Sequence, residues 1–131
     1  MIHIVRARML EFSDLTDLVP AGDIHLVKAR QTTARPYIVI DLEETQFERN
    51  NIDVHGETYN VLVYITCEKI SEGWSIHNEV KRALSEFDGS VTVDGVSYNF
   101  GQCSLMDVMT DAHELHDFYI VAMSFNIIMS V

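Results

Sequence analysis

Positive charge is scarce in this chain of 131 residues: nine lysines and arginines stand against 20 aspartates and glutamates, a formal net charge of −11. A nucleic-acid binder needs a basic footprint that releases counterions from phosphate, so the charge argues against a broad phosphate-binding surface while leaving room for a local basic patch. Cysteine is scarcer still. Cys67 and Cys103 lie apart in apolar, strand-like segments and form no Cys-x-x-Cys pair, which reads as two buried free thiols. No apolar run approaches the roughly 18–20 residues of a membrane helix; the longest apolar-rich stretch, Phe118–Val131, is interrupted by Ser124, Asn126 and Ser130. The opening Met1-Ile2-His3-Ile4-Val5-Arg6 lacks the three regions of a secretory signal. The expectation is a protein made and used in the cytoplasm, with no membrane partner.

The signatures of catalysis are missing as well. There is no Gly-x-Ser-x-Gly elbow, no Gly-x-x-x-x-Gly-Lys loop and no Gly-x-Gly-x-x-Gly after a strand. His3, His25, His55 and His77 are scattered and read as surface residues. One cluster has metal-ligand chemistry: Asp107, Asp111, His113, Glu114, His116 and Asp117. On a helix, His113 and His116 would converge on one face, with a carboxylate completing a site. No motif such as His-Glu-x-x-His accompanies them, so the preferred reading is a polar loop joining two strands, with no catalytic residue, no metal and no cofactor.

The apolar residues that are present set out the elements in order. Ile2, Val5, Met9 and Phe12 have helical spacing, with Arg6, Arg8 and Glu11 toward water. Ser13-Asp14 breaks that helix; Leu15, Leu18 and Val19 form a second short apolar turn, stopped by Pro20-Ala21-Gly22. Asp23–Lys28 reads as a short strand and residues 29–35 as a polar loop. Pro36 opens a strand over Tyr37–Leu42, where a missing N–H is tolerated at a strand start. That strand runs on into a charged arm, Glu43–Asn51, and returns over Glu57–Glu68. In the return strand Tyr59, Val61, Val63, Ile65 and Cys67 alternate with Asn60, Leu62, Tyr64 and Thr66, which points the odd positions at a core.

Ser71 is the predicted N-cap of a helix over Ser71–Phe87. Its apolar face is Ile76, Val80, Ala83, Leu84 and Phe87; His77, Glu79, Lys81, Arg82 and Glu86 fill the wet face, and Asp88-Gly89 ends it. Asp94-Gly95, flanked by Val91-Thr92-Val93 and Val96-Ser97-Tyr98, signals a tight hairpin. The second arm of that hairpin continues to about Met109, and a last strand covers Asp117–Met129 with Tyr119, Val121, Met123, Phe125, Ile127 and Met129 on one face. Hairpin links imply antiparallel pairing. The expected fold is one α+β domain over residues 1–131: a mainly antiparallel sheet, two helices packed on one face, and a long hairpin arm.

Two features point to assembly. The arm carries Phe47 and Ile52 among charges, beside Arg49 and Asn50, and reads either as a mobile hairpin or as a reach to a neighbouring subunit. Trp74 in the first turn of the main helix reads either as core or as an interface anchor. Arg6, Arg8, Lys28, Arg30 and Arg35 lie near the start of the chain, while acids dominate from Asp41 onward. Such asymmetry is consistent with the end of one copy meeting the other end of the next.

The order of a first helix, a turn ending in Pro20-Ala21-Gly22, a short strand and Ala34-Arg35-Pro36-Tyr37-Ile38-Val39-Ile40 resembles the tail-completion family of long-tailed bacteriophages. The likeness continues through Tyr59–Cys67, the helix Ser71–Phe87 and the final strand, and rests on order and spacing over essentially the whole chain. The family contains tail terminator, or head–tail joining, proteins. The resemblance implies a homo-oligomer, a hexameric ring that caps the tail tube and offers a surface to the head connector. Its partners would be the tail tube protein and a head-completion or connector protein, and its place the tail or neck of a virion assembled in the host cytoplasm. DNA would pass through without specific binding. The subunit-interface candidates are Phe47, Arg49, Asn50, Ile52 and Trp74; the acidic lumen candidates are Glu43, Glu44, Asp107 and Asp111. Two alternatives belong to other classes: a dimeric ligand-binding α+β domain, and a small metal-dependent enzyme using His113 and His116.

Overall fold

Alternating apolar residues in two long segments build the middle of a single six-stranded sheet. In the computed structural model, which describes residues 2–29, 34–43, 57–85, 87–113 and 118–130, the chain runs through helices α1 (Ile2–Leu10) and α2 (Ser13–Thr16) and strands β1 (Ile24–Leu26), β2 (Tyr37–Leu42) and β3 (Glu57–Cys67). Helix α3 (Ile70–Leu84) follows, then β4 (Gly89–Val93), β5 (Val96–His113) and β6 (Phe118–Ser130). The sheet order is β1-β2-β3-β6-β5-β4. The expected mixture of helix and mostly antiparallel sheet is present, with three helices in place of two.

The two central strands pair antiparallel from Glu57↔Met129 to Cys67↔Tyr119, so Val61, Val63 and Ile65 stand opposite Phe125, Met123 and Val121. Side chains alternate across a strand, and here the alternation carries every one of those six residues into the core. Helices α1, α2 and α3 cover that face with Ile4, Val5, Met9, Leu15, Ile76, Val80 and Leu84, all buried. Burying a side chain of this size stabilises the fold by roughly 1.5–3 kcal/mol. The opposite face, with Val39, Leu62, Tyr64, Ile120, Ala122 and Ile128, is only half-buried, and among the described residues no helix packs on it.

Three of the expectations need correction, and one pairing goes beyond them. The pairing of β1 with β2 is parallel, Ile24↔Ile38 to Leu26↔Ile40, so the mainly antiparallel sheet carries one parallel margin. Helix α3 starts at Ile70, with Lys69 in the cap position and no side-chain cap; the Ser71 carbonyl accepts from the Ser75 hydroxyl at 3.1 Å. The helix also ends at Leu84, short of Phe87, because Ser85 turns extended (ψ 131°) and Phe87 leaves to pack edge-on against Phe100 at 5.2 Å. Finally, Arg6 and Arg8 do not point to water. Arg6 Nε donates to Ile24 O at 2.8 Å and Arg8 Nε to Ala83 O at 2.8 Å, while the Arg8 guanidinium lies 3.8 Å over the Phe87 ring.

The short hairpin forms as expected. Val93 pairs with Val96, and Asp94 (φ 52°) and Gly95 (φ 79°) both take the left-handed conformation that a tight primed turn needs and that glycine adopts without strain.

Candidate functional site

Strand β5 is where the sheet is least finished. Strand β4 pairs with it only over Val96–Phe100. From Gly101 to His113 the described residues give β5 a partner on one side alone, β6. The outer backbone groups of that stretch form an open sheet edge, the arrangement that invites another chain to pair. Two register shifts interrupt it, between Phe100 and Gln102 and between Leu105 and Asp107. The second makes Met106 the extra residue, and each shift turns the following side chains to the other face.

That reversal decides which residues are displayed. Cys103 is buried, and Leu105 and Val108 pack against the core, while Asp107, Met109 and Asp111 are exposed. Met106 and Met109 are 64% and 66% exposed, the largest values among the exposed large apolar side chains, followed by Val27 at 58%. Registers place Asp107 on the same rung as Ser124, Leu62 and Asp41. Asp41, Asp107 and Asp111 therefore dot one open face, and Glu43 joins it at the end of β2, its N–H donating to Asn60 O at 3.0 Å. At the middle of the same face Asn126 donates to Asn60 Oδ1 at 3.1 Å.

The predicted site residues fall into two groups. Phe47, Arg49, Asn50 and Ile52, with Glu44, lie outside the described residues, as do Glu114, His116 and Asp117 and the side chain of His113. Among the described residues no three metal-ligating side chains converge. Glu43, Asp107 and Asp111 are described and share the open face, whereas Trp74 sits on the opposite, helical side. Trp74 is 41% exposed and meets His77 edge-on at 5.0 Å.

His77 departs from the wet face of α3 that its spacing predicts and is buried. Its Nδ1 is 3.2 Å from Asn78 Oδ1, and its Nε2 has no hydrogen-bond partner among the described residues. His25, read as a surface residue, is half-buried with its ring edge-on to Tyr37 at 6.2 Å. Both cysteines are free and buried, as expected. Burial pushes the Cys67 thiol up, with the Glu72 carboxylate adding to it. Neither thiol has the depressed pKa of a reactive nucleophile.

Met106, Met109 and Val27 were not singled out from sequence. One signal was available: strict alternation from Cys103 would bury Asp107, and an unpaired acid in a core position marks a shift in register.

An α+β sheet protein with helices on one face and the other face open is the class this geometry defines. No protein-family model and no curated protein matches the chain. Its fold is similar to that of a solved chain in the virion of a native gene transfer agent (GTA) particle: TM-score 0.73 at 12% identity, covering 98% of this chain and 93% of that one. At that identity the likeness is one of fold.

Proposed function

We propose that the chain is a structural subunit of a phage-like virion, a tail terminator or head–tail joining protein that forms a hexameric ring on the end of the tail tube and presents a surface to the head connector. The observation that carries this reading is the near end-to-end fold likeness to a virion chain, which agrees with the family resemblance of the sequence. The surface is suited to assembly. A stable ring needs interfaces that bury about 2,000 Å² or more each, counting both partners. A subunit with two such contacts gives up about 2,000 Å² of its 8289 Å², about a quarter. The unpaired stretch of β5 and the exposed Met106 and Met109 offer part of that area.

In this reading the open face lines the lumen. Asp41, Glu43, Asp107 and Asp111 keep it acidic, and like charges repel a passing DNA backbone within a Debye length of about 8 Å. The Glu44–Asn51 segment contributes to the subunit contact through Phe47 and Arg49. The test is electron microscopy of tail tubes grown with and without the purified chain. The expected images show tubes of bounded length with a ring on one end; tube lengths that ignore the protein would sink the reading. Deleting Glu44–Asn51 is expected to leave a folded monomer by circular dichroism that no longer assembles by light scattering.

A further inference from the structure

The two lateral margins of the sheet differ in charge, in hydrogen bonding and in exposed apolar surface. From Ile24 to Ile40 the chain contains no Asp or Glu, and it carries Lys28, Arg30 and Arg35. After Arg82 it contains no Lys or Arg, while acids recur as far as Asp117. Strand order puts the first stretch at the β1–β2 margin and the second across β6, β5 and β4. Among the described residues Lys28 puts an exposed cation at the tip of β1, while the Arg35 guanidinium reaches across the sheet to lie 4.9 Å over the Phe118 ring; the β5 margin carries Asp107 and Asp111. The three most exposed large apolar residues divide between the two margins, Val27 on one side and Met106 and Met109 on the other.

Hydrogen bonding separates the margins further. At β1 the carbonyl of Ile24 is taken by Arg6 Nε and that of Leu26 by the Lys28 N–H, both at 2.8 Å. At β5 the stretch past Phe100 has no pairing strand on its outer side among the described residues. The first margin has these two carbonyls taken and carries an apolar and a basic side chain at its tip. The second is an open edge with an apolar and acidic seat.

The heights also match. Leu26, the last residue of β1, lies on the rung Ile40, Val63, Met123 and Val108, one rung from Asp41, Leu62, Ser124 and Asp107, and the chain turns at Val27 directly after it, the Lys28 N–H donating back to Leu26 O. A head-to-tail contact closes into a ring only when the step from one copy to the next has no rise; otherwise it winds into a filament. Patches within about one rung of each other, roughly 3.4 Å along a strand, keep that rise small for an axis running along the strands.

We infer that a second copy of this chain docks its Val27–Lys28 rim on the β5 margin of the first, Val27 against Met106 and Met109 and Lys28 beside Asp107. This deepens the ring reading and rests on it. The rival arrangement, β5 pairing with β5 of another copy, sets two acidic margins together and is disfavoured by like-charge repulsion. In the head-to-tail arrangement the contact is made by side chains, the open faces of successive copies turn toward the ring axis, and Asp41 and Asp111 remain in the lumen.

Cysteine cross-linking of the full chain tests it, since the native Cys67 and Cys103 are buried. The double variants Val27→Cys/Met106→Cys and Val27→Cys/Met109→Cys, oxidised under assembly conditions, are expected to give a ladder of covalent multimers on a non-reducing gel. The single variants are expected to give none. Dimers from Met106→Cys or Met109→Cys alone would show β5 pairing with itself and overturn the inference. A ring seen by light scattering with no ladder from either double variant would also overturn it, while leaving the ring reading intact. A chain that neither forms rings nor bounds tube length removes both. As a charge test, Asp107→Lys and Lys28→Glu are each expected to weaken association about fivefold or more. Combined, they are expected to restore it, and failure to restore would count against the pairing.

Discussion

A methyl group on Gly73 would lie 2.7 Å from the Cys67 sulfur and 3.2 Å from Val121 Cγ2, closer than packed atoms tolerate. Alanine gains about 1 kcal/mol over glycine in a helix interior, but overpacking costs about 1–3 kcal/mol. Gly73→Ala is therefore expected to lower stability by about 1 kcal/mol in urea unfolding, and adding Cys67→Ala to relieve the clash and recover most of it. Burial pushes the Cys103 thiol from 9.0 up to about 12. The unfolded chain loses that proton first, so this contribution to stability is full below pH 9 and is lost as pH rises toward 12. Urea midpoints at about pH 8 and about pH 10.5 are expected to fall further apart for the native chain than for Cys103→Ala.

At the scale of elements, Arg8 joins three pieces at once: it extends from α1, caps Ala83 O near the end of α3 and covers Phe87 ahead of β4. A charged donor on a buried carbonyl is worth about 1.5–3 kcal/mol. Arg8→Ala is expected to cost about 2 kcal/mol by denaturant unfolding, and Arg8→Lys to recover less than half, because an ammonium does not stack as a planar guanidinium does. That tether was not legible in the sequence. A helical wheel sets Arg8 at the border of the apolar face, beside Val5, but cannot show that its acceptor is a carbonyl 75 positions away. What was legible are the elements whose pattern is local: the period-two runs of β3 and β6, the Asp94-Gly95 turn, and the apolar face of α3. The parallel pairing of β1 escaped because it depends on where β2 lies, and neither strand encodes direction. Strand β5 was read as ending near Met109, yet it reaches His113 because β6 holds Thr110–His113 in the ladder. The acids Glu43, Asp107 and Asp111 stand out in the sequence by type, and the sheet sets them on one open face; the exposure of Met106 and Met109 is not legible there because a bulge defeats counting by twos.

For the whole molecule, net charge competes with contact. Six copies, each at −11, would sit about 35 Å apart in a ring of domains this size. The Debye length is about 30 Å at 0.01 M salt and about 8 Å at 0.15 M, so mutual repulsion is felt at full strength only in dilute buffer. Charge pairs at contact distance are screened less. Ring association is therefore expected to strengthen as salt rises from about 0.01 M to about 0.15 M, read by sedimentation velocity. Tightest association at the lowest salt would mean that local pairs outweigh the net charge.

The two register shifts in β5 bear on what happens before any partner arrives. A straight, flat strand left bare along one side is a template on which copies stack without limit, as they do in amyloid. An extra residue bends the strand and tightens its twist, so two such kinks leave little uninterrupted length for a stranger's strand to follow. The same irregularities that set Met109 and Asp107 on the surface thus make newly made protein a poor template for stacking on itself.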